Sequence, residues 1–248
     1  MNETLASLLG ELSHTDRNVR ARAVVELGTL GDTTATAALV RALTEEREFF
    51  VREYITWALV RMGDAAVASL MLLSGNPDSR VRHRAVHALS KIGDPRAVGV
   101  LIAALHDDDL SVVTKAVYAL GESASAAAIP ALVELLGREE RELQATLVLA
   151  LERFGRTALQ PLVDALNHDD WRVREQAANV LGILREEGAV QALVRVLKDD
   201  KWQVRFAAVQ AIGTLGQNEA KQAVESMLSD TNHLVRGIAS RMMTRLTQ

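Results

Sequence analysis

Phe50, Tyr54 and Trp57 are spaced by four and then three residues, so a helix would carry the three rings on one stripe. Arg80, Arg84 and His87 repeat that spacing, and Ser111, Lys115 and Tyr118 repeat it once more. Side by side, the three stripes set rings next to cations. The rings offer apolar contact and stacking, while Arg80, Arg84 and Lys115 can hold carboxylates or phosphates. An acidic or aromatic polypeptide segment fits that chemistry, as does an acidic planar ligand. His83 and His87, one helical turn apart, could hold a metal with Glu53 as a third ligand, but Arg80 and Arg84 oppose gathering a cation there, so no metal site is expected. The partner-binding candidates are therefore Phe50, Glu53, Tyr54, Trp57, Arg80, His83, Arg84, His87, Lys115 and Tyr118. The competing reading is that the rings pack against an adjacent helix and the cations form a solvated face.

Nothing else in the chain resembles catalytic machinery. There is no cysteine, hence no disulfide, thiolate nucleophile or sulfur-ligated zinc. No Gly-x-Ser-x-Gly elbow, Gly-x-Gly-x-x-Gly turn or Gly-Lys-Ser/Thr phosphate loop occurs. His14, His106, His168 and His233 fall at turns between helices, as do Asp107-Asp108-Asp109, Asp169-Asp170 and Asp199-Asp200, where helix capping and solvation account for them. No catalytic residue and no cofactor are expected.

The elements that position the stripes follow from a repeated phrase. Asn18-Val19-Arg20, Phe50-Val51-Arg52, Arg80-Val81-Arg82, Arg172-Val173-Arg174, Gln203-Val204-Arg205 and Leu234-Val235-Arg236 recur about every 31 residues. Val112-Val113 and Leu143-Gln144 fill the gap as degenerate copies. After each phrase comes an Ala-rich helical run ended by Gly, with Asp to cap the next helix, as in Ile92-Gly93-Asp94, and Pro95 suits a first helical turn. A second helix, Ala97 to His106 in this copy, then leads into the next phrase. On the second phrase helix, Val51, Ile55, Ala58, Leu59 and Met62 form the core stripe. Pro130 and Pro161 fall inside expected helices and should bend them. The pattern predicts sixteen helices in eight hairpins, at roughly 2–31, 32–63, 64–93, 94–123, 124–155, 156–186, 187–216 and 217–248, forming one uninterrupted domain over 1–248. Polar Arg241, Thr244, Arg245 and Gln248 suggest a capped end and a monomer.

Val81-Arg82 through Ile92-Gly93-Asp94 closely resembles the HEAT-like repeat named after phycobilisome lyases, and the resemblance extends over nearly the whole chain. It implies an all-α solenoid, a right-handed superhelix whose concave surface carries the aromatic and basic stripes. It also implies that Arg20, Arg52, Arg82, Arg174, Arg205 and Arg236 form an inter-repeat ladder with turn aspartates such as Asp78, Asp170 or Asp200. Some HEAT-like proteins are di-iron hydroxylases that bind iron through His-Glu dipeptides; none of the six histidines here precedes Glu. Stripes in later repeats, such as Glu142, Thr146 and Leu149, or Gln203, Ala207 and Gln210, are milder, which places the expected site in repeats two to four.

Composition narrows the function classes. With 48% apolar and 24% charged residues the chain has a globular balance. Its net charge of -4 provides no global attraction to nucleic acid or anionic lipid. The absence of a basic-then-apolar start or a bilayer-length apolar run leads us to expect a cytoplasmic chain without a membrane span. The expected function is a noncatalytic interaction or scaffold module with a protein partner. Two alternatives are implied by resemblance: a bilin or tetrapyrrole lyase-like role, with Arg80, Arg84 or Lys115 on propionates, and nucleic-acid binding like that of HEAT-like DNA glycosylases, which the acidic balance disfavours.

Overall fold

The structure, a computed structural model, describes residues 3–216 and 221–246. The first residue of the expected first repeat, the opening of the eighth at 217–220 and Gln248 at its end lie outside the described residues. Every described element is helical, and the sixteen α-helices fall in the expected order.

The chain forms two compact units that divide between Ser123 and Ala124, at the boundary read between the fourth and fifth repeats. The first contains α1 (Glu3–Glu11), α2 (Arg17–Leu30), α3 (Thr36–Glu45), α4 (Phe49–Met62), α5 (Asp64–Leu73), α6 (Ser79–Ile92), α7 (Val98–Ala103) and α8 (Leu110–Ser123). The second contains α9 (Ile129–Glu134), α10 (Arg141–Phe154), α11 (Leu159–Ala165), α12 (Trp171–Leu184), α13 (Val190–Val196), α14 (Trp202–Leu215), α15 (Lys221–Ser226) and α16 (His233–Leu246). All eight phrase helices are 14 residues long.

Local chemistry sets the ends. Asp16, Asp78 and Asp170 cap α2, α6 and α12 by accepting from the N–H two residues on, and Gly31, Gly93 and Gly216 close helices in the left-handed conformation. The alternate helices are shorter than their sequence suggests. The expected helix from Ala97 to His106 is a six-residue α-helix, Val98–Ala103, between two 3₁₀ turns, the first capped by Asp94. Pro130 and Pro161 do not bend helix interiors. They lie in the first turns of α9 and α11, where a backbone N–H has no intrahelical partner to lose.

In the first unit α2 packs on α4, α4 on α6 and α6 on α8; in the second α10 packs on α12, α12 on α14 and α14 on α16. Val51, Ile55, Ala58, Leu59 and Met62 of α4 are all buried, as their spacing requires. Close approach depends on small residues: a Cβ on Gly182 would lie 2.9 Å from the Ala211 Cα.

The arginine ladder is present, with a different register. Arg20 pairs with Glu46, Arg82 with Asp107, Arg174 with Asp199 and Arg205 with Asp230, each through Nε and Nη2 at 2.7–2.9 Å. Asp78 and Asp170, proposed as rungs, are instead occupied as caps, and Asp200 gives Arg174 only a secondary contact at 3.1 Å. The carboxylate used is the one six residues before the next ladder position. Its oxygen also accepts from the N–H two residues on, as Asp107 does from Asp109 and Asp230 from Asn232, so the turn presents it to the preceding repeat. Each of these arginines also donates Nη1 to carbonyls of its own turn, as Arg82 does to Asn76 and Pro77.

Candidate functional site

A cleft of about 370 Å³ opens in the first unit between α4, α6 and the start of α8. Leu43, Phe49, Arg52, Glu53 and Thr56 line one side, with Ser79, Arg80, His83, Arg84, His87, Asp109 and Ser111 opposite. Five of the ten sequence candidates therefore meet here: Glu53, Arg80, His83, Arg84 and His87.

The cations in the cleft differ in their commitments. Arg80 is exposed and bound to Asp78, its own helix cap, at 2.7 Å; those hydrogen bonds draw the Asp78 carboxyl down to about 2. Arg84 points inward and donates Nη1 to the Leu43 and Thr44 carbonyls at 2.9 and 3.0 Å, satisfying orphan acceptors at the end of α3. Burial pulls Arg84 below its ordinary pKa, and the Arg52 and Arg80 charges add to the effect. His83 and His87 are pushed down chiefly by burial and next by Lys115, so both imidazoles are neutral at pH 7. His87 Nε2 lies 3.5 Å from Glu53 Oε1, too far for a strong hydrogen bond, and neither ring nitrogen has a hydrogen-bond partner among the described residues. Asp109 is drawn down to about 2, first by the Ser111 hydroxyl and then by Ser79.

The other five candidates lie outside the cleft lining. Phe50 meets Tyr54 edge to face at 6.3 Å and lies under the Arg17 guanidinium at 5.5 Å. Trp57 is 41% exposed, yet its ring covers Gly28 of α2 so closely that a Cβ there would force the ring to move. The aromatic stripe is thus partly packed against a neighbouring helix and partly open, Tyr54 being 44% exposed. Lys115 stands over the Tyr118 ring at 5.5 Å.

Phe49 and Arg52 also line the cleft, although the stripe spacing does not single them out. Phe49, 68% exposed with Arg52 above its ring at 5.7 Å, is the first residue of α4, one position before the stripe. Arg52 was hidden by its regular place in the ladder. Asn76, standing where other repeats put a rung carboxylate, was the available signal. Among the described residues no group of three or more His, Asp and Glu side chains is arranged to hold a metal ion, and no helix is long and apolar enough to cross a membrane.

Several solved structures are similar to this chain. Human deoxyhypusine hydroxylase is 21% identical over 98% of this chain and 96% of its own, with a TM-score of 0.44. A chain of the Kap95p–RanGDP structure gives 17% identity over 98% of this chain and 39% of its own, with a TM-score of 0.61, and an importin beta structure gives 16%, 99%, 42% and 0.62. The chain thus spans about two fifths of the length of those last two structures, whose likeness concerns the fold alone. No curated protein matches by sequence. The family model for HEAT repeats matches residues 5–73, 70–152, 129–203 and 159–244, which together span nearly the whole chain, and the chain belongs to the HEAT-repeat family.

Proposed function

We propose that this chain is a noncatalytic protein-interaction module of the cytoplasm, acting as a monomer, with repeats of the phycobilisome-lyase type. Its partner is an acidic or aromatic polypeptide segment that engages repeats two to four. The observation that carries the reading is the cleft between α4 and α6, where guanidiniums and an exposed phenylalanine share one opening. Phe50, Tyr54, Trp57, Lys115 and Tyr118 flank it and extend the contact surface, in keeping with the aromatic and arginine anchors that dominate protein interfaces.

Trp57 and Arg84 also serve the fold, so the informative variants are Tyr54→Ala and Arg80→Ala, both on exposed side chains. Affinity capture from lysate with wild-type chain and the double variant should yield a protein that the variant loses while keeping its melting temperature. Equal capture by both chains would refute the site. An absorbance scan of the same eluates reads out the tetrapyrrole alternative: a bound chromophore without a bound protein would replace the present reading.

A further inference from the structure

Arg52 occupies the ladder position of the second repeat, but among the described residues it pairs with no carboxylate. Its hydrogen bond goes to the Arg47 carbonyl, and its guanidinium lies over Phe49. The cause is legible in the chain. Six residues before the next ladder arginine, where Asp107, Asp199 and Asp230 stand in other repeats, this repeat has Asn76. Asn76 keeps the turn, its Oδ1 accepting from the Asp78 N–H at 2.9 Å, but it has no charge to give Arg52. Arg84, in the same cleft, donates among the described residues to the Leu43 and Thr44 carbonyls and to no carboxylate. Two partly buried guanidiniums thus line one opening with no carboxylate on either, an arrangement that costs free energy and that an incoming anion would relieve.

The geometry points to a carboxylate receptor: Arg52, with Arg84 beside it, binds an aspartate or glutamate side chain of an acidic peptide segment, which fills the place of the rung carboxylate that Asn76 lacks. This rests on the binding reading above and names its chemistry. Carboxylate is favoured over phosphate by two observations. The sister arginines Arg20, Arg82, Arg174 and Arg205 all grip carboxylates through the same Nε and Nη2 edge. The cleft also holds Glu53 and Asp109, and with Arg80 already bound to Asp78 these two carboxylates oppose the second negative charge of a phosphate dianion. Phe49 beside Arg52 offers an apolar face to the residue next to the acidic one.

The test is calorimetric titration of the full chain with a blocked peptide of alternating glutamate and phenylalanine, alongside its glutamine counterpart. Wild type should bind only the glutamate peptide. Arg52→Gln should weaken binding at least about tenfold with the melting temperature held, since no rung is lost. Asn76→Asp, which supplies the carboxylate within the chain, should weaken binding and raise the melting temperature; loss confined to Arg52→Gln still assigns the carboxylate to Arg52. Equal binding by wild type and Arg52→Gln, equal binding of the two peptides, no wild-type binding at millimolar peptide, or displacement by inorganic phosphate at lower concentration than by succinate would each overturn the assignment. If partner capture is still lost in the Tyr54→Ala, Arg80→Ala chain, only the carboxylate receptor fails; if capture is also unaffected, the binding reading fails with it.

Discussion

Arg205 and Asp230, 25 residues apart in consecutive repeats, share two hydrogen bonds of 2.8 Å while both side chains are almost wholly buried. The guanidinium also reaches back to the Asp199 carbonyl at 2.9 Å, so one side chain joins its own turn to the next. Removing one partner strands the other. Asp230→Asn should lower stability by about 2–4 kcal/mol in urea unfolding. Arg52→Gln, which breaks no such pair, should change it by less than about 1 kcal/mol; equal losses in the two variants would show that the ladder pairs are not what separates them.

Acid should weaken the same pairs. Hydrogen bonds from Arg205 hold the Asp230 carboxyl below its ordinary range, and those from Arg82 do so for Asp107. Because the folded-state value lies below the unfolded one, the stabilisation is present above about pH 4 and is lost as pH falls through the folded-state values. Melting temperature should drop steeply below about pH 4, and less steeply in Asp230→Asn. A parallel drop in the two proteins would contradict the assignment.

The histidines of the cleft act in the same direction at higher pH. His83 and His87 bind a proton less readily folded than unfolded, so stability should decline as pH falls below about 6.5, where the unfolded imidazoles charge first. Their ring resonances in NMR should titrate below about 6.5. Resonances titrating above it would mean that Glu53 outweighs burial and Lys115.

Packing between phrase helices gives a further prediction. Gly182→Ala drives a methyl against the Ala211 backbone, which has no rotamer by which to yield, and should cost about 1–3 kcal/mol. Gly28→Ala meets the Trp57 ring, which is part-exposed and can turn, so its cost should be smaller. Chemical denaturation of the two variants checks the order.

Helices, caps and core were legible because each is local: Asp16, Asp78 and Gly93 act within a few residues of their own position, and Val51 through Met62 follow one helical period. The ladder was legible as a recurring arginine, but its acceptor was not. Asp199 and Asp200 are adjacent in sequence, and only the turn's hydrogen bond to Lys201 aims the first toward Arg174. Arg84 shares the stripe spacing of Tyr54, yet the carbonyls ending α3 draw it inward. A helical wheel contains no neighbouring helix, and so cannot distinguish the two.

The ladder also governs how the chain can be made. Its pairs join residues only 25 or 26 positions apart. A hairpin emerging from the ribosome therefore needs only the hairpin after it to close its ion pair, and never a segment still to be synthesised far downstream. Order can accumulate one turn at a time, at the pace of translation, with little of the chain's apolar surface waiting uncovered.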